Sequence, residues 1–229
     1  MKPEDRLIVA LDYNSGQKAL EAVESLKAEV KFFKVGLELF SSCGRDIVEK
    51  IKSKGCEVFL DLKFHDIPNT VEKAARAVSG LGAFMFNVHA LGGEEMMRRA
   101  KEAAGDRSKV IAVTILTSMD ENALKKSGIS VNIEDEVIKL AALAKTSGLD
   151  GVVASAKEAS RIREELGKDF LIVAPGIRPA SAASDDQKRV ATPHEALTAG
   201  ADYIVVGRPI TAAADPAKAA RGIIKEMGS

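Results

Sequence analysis

Short apolar runs alternate along the chain with longer segments of helical period. The runs are almost continuously apolar, as in Ile204-Val205-Val206, and polar residues rarely interrupt them. Strands of this composition are typical of parallel sheets that are covered on both faces. The pattern predicts eight strands, at residues 7–12, 32–36, 58–63, 84–89, 110–116, 151–155, 171–175 and 203–207.

The segments between these runs have the period of amphipathic helices. Apolar residues recur there at spacings of three and four, which places them on one helix face. Two such sets are Leu20, Val23, Leu26 and Val30, and Val71, Ala74, Ala75, Val78 and Leu81. Four glycines follow helical segments shortly before a strand, where the left-handed conformation that ends a helix favours glycine. They are Gly55, Gly82, Gly148 and Gly200.

This repetition predicts a (β/α)8 barrel, the TIM barrel, as a single domain over residues 1–229. The length of 229 residues is close to the ~250 residues typical of that fold. An open, doubly wound sheet shares the same local pattern and stays the structural alternative. Because the units number eight and no strong nucleotide-binding glycine fingerprint is present, the barrel is favoured.

Charge and composition narrow the classes of function. The chain has 33 basic and 33 acidic residues, so no global field attracts nucleic acid or a membrane surface, and local charges must hold any anionic ligand. The sequence contains neither a signal peptide nor an apolar run of the ~18 residues that span a membrane, so we expect a cytoplasmic protein. Two cysteines and three scattered histidines lack metal-ligand spacing, so we expect no metal.

Polar residues lie at or just after the ends of the predicted strands, where barrels of this kind place their catalytic groups. These residues are Asp12, Lys34, Asp61, Lys63, His89, Thr117, Ser118, Ser155, Arg178 and Arg208. For His89 and Ser155, a structural hydrogen bond explains the position equally well. His65 could act as a general acid or base, or could face solvent, and we assign it no role.

The densest cluster of charge is the run from Asp61 to Asp66. Asp61 and Lys63 are two positions apart on a strand, so their side chains project to the same side. With Lys34 on the neighbouring strand and Asp66 in the following loop, two cations and two anions can alternate in space. Buried charges require such pairing. A surface cluster of salt bridges is the competing interpretation, but it does not explain why charged residues end otherwise apolar strands.

A second group of residues has the chemistry of a phosphate site. Gly207 and Arg208 follow the eighth strand, where these barrels commonly bind phosphate, and Arg178 and Gln187 lie in the connection after the seventh strand. Two connections, residues 117–133 and residues 177–192, are longer than a minimal loop, and long loops in compact domains often act as lids. An incidental arginine in a surface loop is the alternative.

These residues together resemble the bacterial form of orotidine 5′-phosphate decarboxylase over essentially the full chain. The matching motifs are Ala10-Leu11-Asp12, Lys34-Val35-Gly36, Asp61-Leu62-Lys63-Phe64-His65-Asp66-Ile67-Pro68-Asn69-Thr70, Leu116-Thr117-Ser118, Pro175-Gly176-Ile177-Arg178 and Val206-Gly207-Arg208-Pro209-Ile210. The resemblance implies a carboxy-lyase without cofactor that converts orotidine 5′-monophosphate (OMP) to uridine 5′-monophosphate (UMP) and carbon dioxide, the last step of de novo pyrimidine biosynthesis.

The resemblance also implies roles for single residues. Lys63 is expected to donate the proton, with Asp61, Asp66 and Lys34 completing its charge network. Asp12, Lys34 and Thr70 are expected at the ribose hydroxyls, and Thr117 at the pyrimidine. The phosphate end is expected to use Arg178, Gln187, Gly207 and Arg208. The family further implies a homodimer with shared sites, in which Asp66 and Thr70 reach into the partner's site.

Two other functions stay open. A related barrel decarboxylase or aldolase for sugar phosphates shares the Asp-x-Lys-x-x-Asp pattern and uses magnesium, although the positive charge of Lys34 argues against a divalent cation. A catalytically inert barrel that only binds a phosphorylated nucleotide is the third hypothesis. Mere binding does not need a buried array of charges, so Asp61, Lys63 and Asp66 count against it.

Overall fold

The computed structural model describes residues 2–179 and 191–228. Eight parallel strands close into a barrel in which each strand pairs with the next along the chain, and β8 pairs with β1. The strands are β1 Leu7–Ala10, β2 Phe32–Gly36, β3 Glu57–Phe64, β4 Met85–His89, β5 Lys109–Val113, β6 Gly151–Val153, β7 Leu171–Ala174 and β8 Tyr203–Val206. The predicted barrel is confirmed, and the open sheet is excluded.

Helices connect the strands and cover the barrel. They are α1 Gly16–Leu26, α2 Leu37–Cys43, α3 Asp46–Lys52, α4 Pro68–Gly80, α5 Glu94–Ala104, α6 Glu121–Lys126, α7 Ile133–Thr146, α8 Ala156–Leu166, α9 Pro193–Thr198, α10 Arg208–Thr211 and α11 Pro216–Met227. Short 3-10 helices lie at Pro3–Arg6 and Ala90–Gly92. In the described part of the chain, no helix is both long and apolar enough to cross a membrane.

The helix faces that the periodicity predicts are the buried ones. In α1, Val23 and Leu26 are fully buried, and in α4, Val71, Ala75 and Val78 are buried. The four glycines predicted at helix ends all have positive φ, between 72° at Gly82 and 104° at Gly200. These glycines therefore occupy the conformation that other residues adopt only at a cost.

The long connection over residues 117–133 contains a helix that the sequence pattern did not predict. Helix α6 occupies Glu121–Lys126, and the Asp120 side chain caps it by accepting a hydrogen bond from the Ala123 backbone N–H at 2.9 Å. An aspartate at this position satisfies one of the free N–H groups of the first turn. The second long connection, residues 177–192, lies mostly outside the described residues.

The barrel interior is built in layers. Phe32, Phe59 and Met85 belong to one buried apolar cluster on neighbouring strands. Two positions further along the same strands are Lys34, Asp61 and Asn87, which the alternation of side chains places above that layer. The apolar layer thus closes the barrel floor, and the polar layer faces the carboxyl ends of the strands.

Candidate active site

A cavity of about 320 Å³ opens at the carboxyl ends of the strands. Apolar side chains from β3 and from β5 to β8 form one part of its wall, including Phe59, Val113, Val153, Val173 and Val205. Its remaining lining includes most of the residues that the sequence predicted. Those predicted residues are Asp12, Lys34, Asp61, Lys63, Thr117, Arg178, Gly207 and Arg208.

Three ion pairs link the charged side of the cavity. The Nζ atom of Lys63 is 2.6 Å from Oδ1 of Asp61, and the Nζ atom of Lys34 is 3.3 Å from Oδ2 of the same carboxylate. Lys34 also donates to Oδ1 of Asp12 at 3.0 Å. The order along this network is Lys63, Asp61, Lys34, Asp12, so each charge is next to opposite charges.

This network controls the ionisation of its buried members. Burial on its own would raise the pKa of Asp61, but the ammonium groups of Lys34 and Lys63, with hydrogen bonds from Lys63 and Asn87, lower it below its ordinary value. Burial would likewise lower the pKa of Lys34, yet the carboxylates of Asp61 and Asp12 outweigh it and raise that pKa. Both groups are therefore charged at neutral pH.

Lys63 has an unusual backbone conformation. Its φ is +52°, the only positive value at a non-glycine residue in the described chain. It lies where the β3–β4 register shifts: four positions separate Leu60 from Phe64, but only two separate their partners Phe86 and Val88. Such an irregularity redirects side chains, and strained backbone of this kind is common at functional sites.

The amide side chain of Asn87 fills the gap that this irregularity leaves in the ladder. Its Oδ1 accepts the Lys63 backbone N–H at 2.8 Å, and its Nδ2 donates to Oδ1 of Asp61 at 2.7 Å. Asn87 is 1% exposed. Sequence reasoning missed this residue, although an amide in the middle of the apolar strand Met85–His89 is a signal that could have found it.

Glycines make room around the ion pairs. A Cβ atom at Gly36 would lie 3.0 Å from Nζ of Lys34 and 3.6 Å from Oδ1 of Asp12, and one at Gly207 would lie 3.6 Å from Oδ2 of Asp12. Gly36 is the last residue of β2, and Gly207 directly follows β8. These two strands flank β1. The absence of side chains there leaves the Asp12–Lys34 pair undisturbed.

Two predicted site residues do not line the cavity of their own chain. Asp66 is exposed, and its Oδ1 accepts the Ile67 backbone N–H at 2.6 Å. Thr70 is exposed in the first turn of α4. Within one chain Asp12, and not Asp66, is the second carboxylate of the alternating array. Gln187 lies outside the described residues.

Ser155, His65 and His89 received no catalytic role from the sequence, and the structure shows what each of them contacts. Ser155 is buried and caps α8 by accepting the Lys157 backbone N–H at 3.3 Å. The rings of His65 and His89 are 5.5 Å apart. Burial chiefly, then the nearby His65 and Lys63, lowers the pKa of His89. Over residues 2–179 and 191–228, no three His, Cys, Asp or Glu side chains are grouped to hold a metal ion.

Comparison with known proteins assigns the family. The model of the orotidine 5′-phosphate decarboxylase / HUMPS family matches residues 5–223. The chain belongs to this family. Among curated decarboxylases, the orotidine 5′-phosphate decarboxylase of Saccharophagus degradans is 52% identical over 228 residues, covering 98% of this chain and 96% of that protein. That of Geotalea daltonii is also 52% identical over 228 residues, covering 97% and 95%.

A solved structure of the same family shares the architecture. The crystal structure of orotidine 5′-phosphate decarboxylase from Lactobacillus acidophilus superposes with a TM-score of 0.88 at 42% identity. The alignment covers 98% of this chain and all of that one. The resemblance found in the motifs therefore extends over the whole fold of this decarboxylase-family chain.

Proposed function

We propose that this protein is a carboxy-lyase that converts OMP to UMP and carbon dioxide, the last step of de novo pyrimidine biosynthesis. Membership of the decarboxylase family and the names of its relatives support this reaction. The observation that carries it is the contact of 2.6 Å between the Lys63 ammonium and the largely buried Asp61 carboxylate on the cavity wall. That contact holds a charged proton donor in a site with an apolar wall.

Substrate orientation follows from the two ends of the cavity. Arg178, Gly207 and Arg208 supply guanidinium and backbone groups for the phosphate, and Gln187 joins them in the proposal. Asp12 and Lys34 face the ribose hydroxyls, and Thr117 fixes the pyrimidine. The ring then lies between the charged side formed by Asp61 and Lys63 and the apolar wall. Binding at the remote phosphate contributes to the chemical step by holding the ring in place.

The chemical step breaks the bond between the pyrimidine carbon and the substrate carboxylate. Carbon dioxide leaves, and the electron pair stays on the ring carbon. The Lys63 ammonium stabilises this carbanion electrostatically and then transfers a proton to it, which gives UMP. The neutral amine regains its proton from water. The residues of this chain can perform each part of this sequence without a cofactor.

Asp61 and Lys34 prepare Lys63 for that step. The Asp61 carboxylate holds the Lys63 ammonium in place through the ion pair of 2.6 Å. Lys34, 8% exposed, keeps the largely buried Asp61 ionised by lowering its pKa. The Lys34 ammonium also lies between the Asp12 and Asp61 carboxylates, at 3.0 Å and 3.3 Å, where it opposes the entry of a divalent cation. We therefore do not favour the magnesium-dependent alternative.

We further propose a cytoplasmic homodimer of one-domain subunits with shared active sites. The partner's Asp66 then joins the Lys63 network, and the partner's Thr70 contacts the ribose. The exposure of Asp66 and Thr70 in this chain supports that assignment, because neither reaches its own cavity. Ile67 and Leu91, which are 65% and 47% exposed, follow β3 and β4 and supply apolar surface for such a contact.

Incubation of the purified protein with OMP tests the proposed function. Ultraviolet absorbance should follow the conversion, and chromatography should identify UMP as the product. The rate should be the same with a chelator and with added magnesium. A sugar phosphate of the competing reaction should not be consumed. No turnover of OMP, with or without magnesium, would reject the proposal.

A further inference from the structure

We propose that Asn87 is a positioning residue that holds Lys63 and Asp61 in their reactive arrangement. The proposal rests on the decarboxylase function proposed above and adds a residue from β4 to it. The amide contacts both residues at once, through the Lys63 backbone N–H at 2.8 Å and the Asp61 carboxylate at 2.7 Å. Asn87 itself does not line the cavity.

The two contacts determine the orientation of the amide. A backbone N–H only donates and an ionised carboxylate only accepts, so Oδ1 must face Lys63 and Nδ2 must face Asp61. Reversing the amide would place Nδ2 against the Lys63 N–H, donor against donor. It would also place Oδ1 against the Asp61 carboxylate, acceptor against acceptor. Because the amide is 1% exposed, water cannot relieve that mismatch. Asn87 therefore has one stable orientation.

The first contact supports the backbone of Lys63. At φ +52° and within the β3–β4 irregularity, this N–H lies outside the regular ladder of strand pairs. A buried N–H without a partner costs free energy, and the Asn87 carbonyl removes that cost. The same contact therefore favours the left-handed conformation from which the Lys63 side chain reaches Asp61.

The second contact acts on the charge of Asp61. Lys34 on β2 and Lys63 on β3 face this carboxylate, Asp12 after β1 faces Lys34, and His89 on β4 lies near Lys63 and Asp61. Asn87 adds a neutral donor to these groups, and its hydrogen bond lowers the pKa of Asp61. Loss of the donor should raise that pKa, so the acidic limb of the activity profile should move to higher pH.

The test compares Asn87→Leu with Asn87→Asp. The leucine has a similar shape and removes both hydrogen bonds, whereas the aspartate keeps an acceptor for Lys63 but loses the donor to Asp61. Ser108→Ala is the matched control. Ser108 is also buried and donates to the Ala83 carbonyl at 2.6 Å, but it precedes β5 at the opposite end of the barrel. It should leave kcat and the pH profile unchanged.

For both Asn87 variants we expect kcat for OMP to fall roughly 10- to 100-fold, the loss typical of a small misplacement of catalytic groups. KM should change much less, since the phosphate contacts remain, and the acidic limb should shift upward. A folded variant with the kcat and acidic limb of the wild type would overturn the proposal. The proposal would also be overturned if kcat fell without a shift of the acidic limb and Ser108→Ala lost kcat to the same extent.

The native protein provides a measurement that does not depend on how the variants fold. The side-chain amide resonances of Asn87 in a nitrogen-correlated spectrum should move as Asp61 is protonated on the acidic limb. Resonances that stay constant over that limb would overturn the proposal. An inactive wild type would instead reject the decarboxylase function, while this amide titration would still report on the contact between Asn87 and Asp61.

Discussion

The Nζ atom of Lys63 lies 2.6 Å from Oδ1 of Asp61, although Lys63 has a backbone φ of +52°. A left-handed conformation costs about 1–2 kcal/mol in a residue other than glycine. The contact is therefore formed against the local preference of the chain. The register shift between β3 and β4 and the hydrogen bond that the Lys63 backbone N–H donates to Asn87 provide the surroundings in which it persists.

This strain predicts an inverted order of stability between two variants of Lys63. Lys63→Gly and Lys63→Ala lose the same ion pair, but only glycine accepts positive φ without a steric cost. We expect Lys63→Gly to be the more stable by about 1 kcal/mol, whereas alanine is normally the better residue within a strand. Urea unfolding at pH 7 measures the difference. An alanine variant that is equally or more stable would contradict a strained Lys63.

The pKa shift of Asp61 predicts how stability depends on pH. Because its folded pKa is lowered, the stabilisation by Asp61 is present above the unfolded pKa of about 3.9 and is lost as pH falls through the folded value. Lys34 has the opposite sign: its raised pKa gives stabilisation below the unfolded value of about 10.4, lost as pH rises through the folded value.

Asp61→Asn tests this dependence. The difference in unfolding free energy from the wild type should be constant near neutral pH and should shrink under acid below about pH 4. Asp150→Asn is the control, since Asp150 pairs with Lys101 at 2.7 Å and precedes β6 at the other end of the barrel. That control should lose stability but keep turnover, while Asp61→Asn should lose turnover. A pH-independent difference for Asp61→Asn would contradict the shift.

The space at Gly36 predicts a sensitive position beside the ion pairs. In Gly36→Ala the new Cβ would lie 3.0 Å from the Lys34 ammonium, so the ammonium must shift by a few tenths of an ångström within its ion pairs. We expect a folded protein with reduced kcat/KM for OMP. Gly222→Ala in α11 meets no atom within 4 Å and should retain full activity. Unchanged kinetics in Gly36→Ala would show that the position of Lys34 is not critical.

The phosphate assignment predicts a substrate-dependent effect at Arg208. Loss of a charge-assisted hydrogen bond costs about 1.5–3 kcal/mol, so Arg208→Ala should raise KM for OMP at least about tenfold. The non-phosphorylated nucleoside orotidine should be turned over as in the wild type. Arg221→Ala, which removes a surface pair with Glu29 at 2.9 Å, is the control arginine. Equal losses on OMP and orotidine would reject the phosphate assignment.

Shared sites predict complementation between inactive variants. Lys63→Ala and Asp66→Ala should each be inactive, but a heterodimer should contain one site with both native residues. After subunit exchange at equal amounts, random pairing in a two-fold dimer should restore roughly a quarter of the wild-type activity. Mass spectrometry of the mixture verifies that heterodimers have formed. Persistent inactivity in their presence would show that Asp66 does not serve the neighbouring site.

Much of the barrel was predictable because its signals are local. Strand β2 has the predicted bounds, since the helical period of Leu20, Val23, Leu26 and Val30 ends just before Phe32. The predicted strand at residues 110–116 ends instead at Val113, because apolar residues such as Ile115 continue into the cavity wall after pairing has stopped. Helix α6 was missed because its six residues give too short a periodic signal, despite the Asp120 cap.

Most of the predicted residues that the structure describes line the cavity, but the contacts between them were not predictable. The polar ends of the strands identified Asp61, Lys63 and Lys34, since parallel strands meet at one edge. The pairing of Lys34 with Asp12 depends on the β1–β2 register, which places Ala10 opposite Lys34 and is invisible in the sequence. Asn87 was missed for a related reason, because its role arises only from the irregular pairing of β3 with β4.

The most direct measurement of the central claim is the turnover of OMP by the wild type and by Lys63→Ala, followed by ultraviolet absorbance with UMP binding as a control. The wild type should form UMP, whereas Lys63→Ala should bind UMP but be slower by at least about 10²–10³-fold, because it lacks both the stabilising charge and the proton donor. A wild type that does not consume OMP, or a Lys63→Ala variant with nearly wild-type turnover, would contradict this account.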